Sequence, residues 1–208
     1  MEDVLAVYAQ PADPRYPLVC MDEVSKQLLR DTRAPLPMSA EQPERIDYEY
    51  ERAGVMNLFL FCEPLRGQRW VDVTDQRTKA DWAHQIKDLI DVRHPEAERI
   101  RLVLDNLNTH TPGALYEVFA PAEAKRLADK LEIHYTPKHG SWLNIAEIEL
   151  SVLSRQCLDQ RFSDETAFRA EVTAWQDRRN AQAGTVNWRF TTADARIKLK
   201  RLYPSIQE

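Results

Sequence analysis

Two short segments of the chain each place an aspartate directly after an apolar run. In "LVLDNLNTH" (residues 102–110) three apolar residues precede Asp105, and in "LVCMDE" (18–23) four precede Asp22. Short apolar runs bounded by polar residues are typical of buried strands, and ligand sites form at the carboxyl ends of strands. If the two strands lie side by side and parallel, both carboxylates meet at one edge of a sheet.

Two neighbouring carboxylates repel each other, so one takes up a proton or a cation lies between them. A hard cation such as Mg²⁺ or Mn²⁺ suits oxygen ligands and keeps coordination positions for substrate phosphate. The competing interpretation is that Asp105 and Asn106 only build a turn after the strand, which is common for these residue types.

A third acid is expected at the start of a helix predicted over 144–158, where Glu147 and Glu149 both occur. They are two residues apart and therefore point to opposite sides of the helix's apolar stripe. Helical geometry alone does not choose between them. Glu147 also fits a capping box, in which Asn144 is the N-cap residue and Glu147 follows three positions later.

The pattern of apolar residues predicts five strands and at least five helices. The strands cover 16–22, 55–63, 68–75, 100–105 and 131–135. Three helices cover 78–95, 113–130 and 144–158. Two further helices are predicted, one with Ser163 as its N-cap residue and one that begins at Thr192. A proline-containing loop is predicted over 30–45. This order predicts an α/β fold with a mixed five-stranded sheet and helices on both faces.

Composition and charge narrow the class of protein. The chain has 208 residues, 43% apolar and 29% charged, and contains no apolar run long enough to span a bilayer. Its three cysteines lack paired spacing, which argues against a disulfide framework or a zinc site and favours a reducing cytoplasm. The net charge of −5 does not favour nucleic acid, but the segment 189–201 is basic.

Three segments together resemble the catalytic domain of bacterial insertion-sequence transposases related to the mariner superfamily. They are "VCMDE", "LVLDNLNTH" and "YTPKHGSWLNIAEIELSVLSRQCL", and the resemblance extends from Tyr16 to Pro204. These transposases carry a DDE triad on a ribonuclease H-like fold. By this resemblance Asp22 and Asp105 match the two aspartates, and Glu147 matches the acid of a Leu-Asn-x-x-Glu pattern.

The resemblance implies divalent-metal-dependent DNA cleavage and strand transfer, with two Mg²⁺ or Mn²⁺ ions held by the triad. It also implies DNA as the partner, a homo-oligomer in the active complex, and a cytoplasmic, nucleoid-associated location. Residues 1–208 are expected to form one catalytic domain without the N-terminal helix-turn-helix region of relatives. The chain is then a truncated form, a remnant, or one product of a split gene whose other part binds DNA.

Two alternatives to a transposase stay open at this point. One is a nuclease of the same fold that cuts DNA without joining it. The other is a non-catalytic DNA-binding or dimerisation remnant of a mobile element.

Several further residues are candidates for ordering the loop around Asp105 or for contacting DNA. Asn106, Asn108 and His110 either order that loop around the metal ligand or are only part of its structure. His139 and Trp142 are candidates for DNA contact, with surface or packing roles as the alternative. Phosphate contacts are expected from four basic residues, with a solvated helix face as the alternative: Arg196, Lys198, Lys200 and Arg201.

Overall fold

One mixed sheet with strand order β3-β2-β1-β4-β5 organises the chain. The computed structural model describes residues 1–34, 36–43, 45, 47–138 and 140–203. The strands are β1 (Leu18–Asp31), β2 (Tyr50–Glu63), β3 (Gln68–Thr74), β4 (Ile100–Leu104) and β5 (Leu131–Tyr135). Strands β1, β2 and β3 pair antiparallel, whereas β4 pairs parallel with both β1 and β5. The predicted mixed five-stranded sheet is confirmed.

Seven helices surround this sheet within the described residues. They are α1 (Glu2–Tyr8), α2 (Lys79–Asp88), α3 (Pro112–Val118), α4 (Pro121–Asp129), α5 (Ile145–Leu153), α6 (Glu165–Ala181) and α7 (Thr192–Lys198). Helices α2 and α5 each continue into a π-helical turn, ending at Arg93 and Leu158. Within the described ranges, no helix has the length and apolar character needed to cross a membrane.

Helices pack on both faces of the sheet, as predicted. Successive side chains of β1 point to opposite faces: Cys20 packs in an apolar cluster with α1, α5 and α6, whereas Val19 and Met21 pack with α2, α3 and α4. Each face is anchored by a fully buried tryptophan, Trp175 on the first and Trp82 on the second.

Strands β1 and β2 are longer than the predicted 16–22 and 55–63. They continue as a paired ribbon as far as Asp31 opposite Tyr50, with a bulge between Gln27 and Leu29. The predicted loop over 30–45 therefore begins too early. In a two-stranded ribbon the cross-strand backbone bonds hold the pairing, so the residues need not follow the apolar pattern of a buried strand.

Two predictions about the helices are corrected, and one helix was missed. The single helix over 113–130 is two helices, because a helix cannot run through Pro121, which instead starts α4 at a position where proline is favoured. The N-cap residue of α6 is Asp164 and not Ser163, since Asp164 accepts from the Ala167 N–H at 2.9 Å. Helix α1 was not predicted, because its seven residues are too few to show a helical period.

Candidate active site

The parallel pairing of β1 and β4 brings Asp22 and Asp105 to the same edge of the sheet. Cys20 lies opposite Val103, so each aspartate stands two residues beyond this pair. Asp22 is within β1, and Asp105 directly follows β4. The predicted side-by-side arrangement of the two strands is therefore present.

Asp22 is half-buried in a concentration of negative charge. Burial raises the pKa of Asp22 to about 7, and the charges of Glu23, Asp105 and Glu147 add to the rise. The backbone N–H of Glu23, 2.8 Å from Asp22 Oδ1, acts in the opposite direction. Three other carboxylates thus lie within electrostatic reach of Asp22.

Asn144 holds the start of α5, and with it Glu147, against β1. Its Oδ1 accepts from the Ala146 N–H at 3.1 Å and caps the helix, while its Nδ2 donates to the Met21 carbonyl at 2.8 Å. The Tyr8 hydroxyl of α1 supports the same turn by donating to the Leu143 carbonyl at 2.7 Å. The first turn of α5 is therefore fixed beside the strand that carries Asp22.

Glu147 does not form the capping box that its spacing suggested. The Asn144 side chain caps the N–H of Ala146, and the Glu147 carboxylate accepts no hydrogen bond from any described residue. Complete capping boxes do occur at α2 and α7, where Thr–Asp pairs form them. The partly exposed Glu147 side chain is consequently free to bind a ligand.

Glu149 has a different environment on the opposite side of α5. It is 1% exposed, and its Oε1 lies 3.0 Å from Arg69 Nη2 and 3.2 Å from Arg179 Nη2. Arg69 is buried as well and also donates to the carbonyls of Gly67 and Gly184. Glu149 therefore forms a buried ion pair. Glu147 is the carboxylate of α5 whose charge raises the pKa of Asp22.

His110 lies between Asp105 and Glu23. Its Nδ1 is 2.6 Å from Asp105 Oδ1, and its Nε2 is 3.2 Å from Glu23 Oε2. Burial alone would lower the pKa of His110, but the two carboxylates outweigh it and raise the pKa to about 9. Ligand atoms of these three residues all lie within 4.8 Å of one another.

Sequence reasoning missed Glu23. The available signal was strand alternation, because the residue after Asp22 has to point to the opposite face of β1. That face is where His110 lies, although nothing in the spacing of the two residues indicates their contact.

The other candidates are more dispersed. Asn106 and Asn108 are exposed, and within the described part of the chain neither side chain forms a hydrogen bond, whereas His110 contacts Asp105. A role of the two asparagines around the metal ligand stays a prediction. His139 lies outside the described residues. Trp142 is 42% exposed and meets the ring of Phe190 edge-on.

The basic segment is partly neutralised by acids of its own chain. Arg196 forms two 2.7 Å bonds with Glu2, and Lys198 lies 3.7 Å from Asp194. Lys200 and Arg201 are exposed. An open cleft of about 380 Å³ borders the site, and its lining includes one further basic residue, Lys138. The cleft is lined by Asp105, Asn106, Leu107, Thr136, Pro137, Lys138 and Ser141.

A carboxylate cluster at the edge of a mixed sheet, with helices on both faces, is the arrangement of a metal-dependent nuclease domain. The family model described as "DDE superfamily endonuclease" matches residues 17–169. The chain belongs to this family, whose members use divalent metals. No curated protein matches the sequence.

Solved structures of a transposase have the same fold. The Mos1 mariner paired-end complex with Mn is 16% identical at a TM-score of 0.57, covering 84% of this chain and 52% of that one. The corresponding complex with Mg is 17% identical at 0.56, covering 86% and 53%. The Mos1 strand transfer complex is 15% identical at 0.58, covering 87% and 53%. The chain thus spans about half of each Mos1 chain and shares its ribonuclease H-like fold.

Proposed function

We propose that this chain is the catalytic domain of a transposase, which cleaves a DNA phosphodiester and joins the freed 3′ end to target DNA. The observation that carries the proposal is the meeting of three elements at one sheet edge. Strand β1 brings Asp22, the end of β4 brings Asp105, and Asn144 ties α5 with Glu147 to the backbone of β1. Membership of the DDE endonuclease family supports the same conclusion.

The residues at this edge fit a hard divalent cation. The donor set consists of carboxylate oxygens, which Mg²⁺ and Mn²⁺ prefer, and the clustered negative charge is relieved by a cation. We assign Asp22, Asp105 and Glu147 as the residues that would hold two such ions. When bound, the ions would supply charge stabilisation at the attacking and leaving oxygens of the phosphodiester.

The protein itself contributes placement and charge. Asp22 and Asp105 would flank the reacting phosphate from two strands of one rigid sheet, and Glu147 would close the set from α5. Lys138 borders the cleft next to Asp105 and would attract the phosphates of the bound strand.

The proposal includes DNA as the partner, as in the Mos1 paired-end and strand transfer complexes. It also includes a homo-oligomeric active complex and a cytoplasmic, nucleoid-associated location. Residues 1–208 would form one catalytic domain.

The test of metal binding uses Asp22→Asn and Asp105→Asn. Each removes a negative charge that the cation needs, so calorimetry with Mn²⁺ should show a large loss of affinity, and cleavage of a labelled duplex should stop. Asp129→Asn is the control, because Asp129 is an exposed partner of Lys125, and it should behave as the wild type. Wild-type Mn²⁺ affinity in both site variants would refute the assignment.

A second assay distinguishes a transposase from a nuclease that only cuts. A labelled oligonucleotide with a free 3′-hydroxyl is incubated with supercoiled target DNA and Mn²⁺. Joined products are expected. Cleavage without any joined product would favour the nuclease.

A further inference from the structure

Glu23 is a buried carboxylate that is not one of the three proposed metal ligands. Its side chain is 4% exposed, and its Oε2 has no well-directed hydrogen bond from any described residue. The nearest cationic group is the imidazole of His110, with Nε2 at 3.2 Å. Because a buried charge is costly unless it is paired, Glu23 and His110 form one unit.

The His110 ring is held firmly at this position. It is 1% exposed and packs beside the ring of Trp82, with centroids 5.9 Å apart. The backbone is fixed on both sides, because the His110 N–H donates to the Leu107 carbonyl at 3.0 Å and the His110 carbonyl accepts from the Tyr135 hydroxyl at 2.7 Å. The ring therefore presents its two nitrogens in defined directions.

The direction of the His110 Nδ1 atom determines which oxygen of Asp105 is available to bind a metal ion. Both neighbours are carboxylates, which only accept, so Nδ1 donates a hydrogen bond to Asp105 Oδ1, while Nε2 faces Glu23 Oε2 at 3.2 Å as an ion-pair contact. At 2.6 Å, the contact between Nδ1 and Asp105 Oδ1 leaves no space for a cation between these two atoms. The Asp105 side chain is 31% exposed and borders the cleft, which leaves its other oxygen, Oδ2, as the metal ligand.

We propose that Glu23 and His110 are positioning residues: Glu23 orients the His110 imidazole, and the imidazole holds Asp105 Oδ1 so that Oδ2 presents to the metal. This inference rests on the proposed function, because it assumes that Asp105 binds the catalytic cation. Residues that orient a metal ligand in this way change metal affinity or activity by about 10–100-fold when they are removed.

The test measures the Mn²⁺ affinity by calorimetry and the Mn²⁺ concentration that gives half-maximal cleavage, together with the melting temperature. His110→Leu removes both contacts and should raise the half-saturating Mn²⁺ concentration by about 10–100-fold. His110→Asn keeps an N–H donor near the position of Nδ1 and should raise it much less. Glu23→Gln keeps an acceptor for Nε2 but not the charge, and a small rise is expected.

His134→Leu is the matched control. His134 is also a buried histidine between two carboxylates, Asp3 at 2.8 Å and Glu132 at 3.2 Å, but it pairs with neither Asp105 nor Glu23. Its loss should lower the melting temperature and leave the half-saturating Mn²⁺ concentration unchanged. A purely structural role of His110 would give the same pattern, so wild-type Mn²⁺ dependence in folded His110→Leu would overturn the proposal.

Two further outcomes are decisive. If Glu23→Gln abolishes Mn²⁺ binding as completely as Asp105→Asn does, Glu23 is itself a ligand and the positioning role is wrong. If His110→Leu does not fold, Glu23→Leu takes its place, because it removes the carboxylate that faces Nε2: wild-type Mn²⁺ dependence in folded Glu23→Leu refutes positioning. A wild-type chain that neither binds Mn²⁺ nor cleaves DNA would instead reject the proposed function.

Discussion

Two glutamates at the start of α5 illustrate how neighbouring residues of the same type take opposite roles. Glu147 is partly exposed and its charge reaches Asp22, whereas Glu149 is buried between Arg69 and Arg179. The side of α5 that faces Arg69 therefore carries a structural ion pair, and the side that faces Asp22 carries a carboxylate that is unpaired among the described residues. The same substitution at the two positions should have different effects.

Glu147→Gln should abolish metal-dependent cleavage without changing the melting temperature. The side chain caps nothing in the described structure, so its charge is not needed for folding, but a neutral amide is a poor ligand for a hard dication. Cleavage assays and thermal unfolding on the same preparation check this. An active Glu147→Gln protein would remove Glu147 from the site.

Glu149→Gln should destabilise the fold by roughly 3–5 kcal/mol, because breaking a buried ion pair leaves the Arg69 charge without its partner. Urea unfolding measures this loss. Whatever folded protein remains should still cleave DNA. A stable but inactive Glu149→Gln beside an active Glu147→Gln would show that the third acid lies two residues further along α5.

At the scale of elements, the position of α5 relative to β1 depends on one side chain. Asn144 both caps the helix and donates to the Met21 carbonyl. The site therefore needs a cap residue of a particular length and with an N–H group, whereas any good cap would serve the helix alone.

Asn144→Ser separates these two tasks. Serine is as good an N-cap as asparagine, but its hydroxyl is too short to reach the Met21 carbonyl. We expect a stability loss of about 1 kcal/mol from the missing hydrogen bond. We expect a fall in cleavage rate of up to about 100-fold, because small displacements of catalytic groups are costly.

Thr191→Ala provides the control for Asn144→Ser. It removes the cap of α7, whose hydroxyl accepts from the Asp194 N–H at 3.1 Å. It should cost about 1 kcal/mol and leave the cleavage rate unchanged. If both variants lose stability but neither loses rate, the link between Asn144 and Met21 has no part in placing Glu147.

The elements that could be predicted from the sequence are those with enough apolar residues to show a period. This group includes strands β4 and β5 and the hairpin of β2 and β3. The parallel pairing of β1 with β4, which brings Asp22 close to Asp105, could be predicted as well. The seven residues of α1 are too few, and the outer part of the ribbon of β1 and β2 is held by backbone pairing. The contact of Glu23 with His110 depends on the packing of a loop against Trp82, which no local pattern encodes.

At the scale of the whole molecule, charge limits how the chain attracts DNA. The net charge is −5, and several basic side chains are already paired, including Arg196 with Glu2. Attraction therefore depends on a few phosphate contacts and not on a broad positive surface.

Duplex binding by this chain alone should be weak, independent of sequence and steeply dependent on salt. Phosphate contacts release counterions, and each contributes a slope of about −0.9 in a plot of log affinity against log salt. Fluorescence titrations between about 50 and 200 mM salt test this. Replacing Lys200 and Arg201 by alanine should reduce the slope if they contact phosphates. Tight binding to one terminal sequence at high salt would contradict the prediction.

The hydrogen bond between Asn144 and Met21 also determines at what stage of synthesis the site can form. It joins residues 123 positions apart in the chain, so it can form only after all of the chain between them has been made. During synthesis, the hairpin that carries Asp22 is complete long before α5 emerges with Glu147. An unfinished chain therefore lacks Glu147, and the proposed cation site is complete only after α5 has docked on β1.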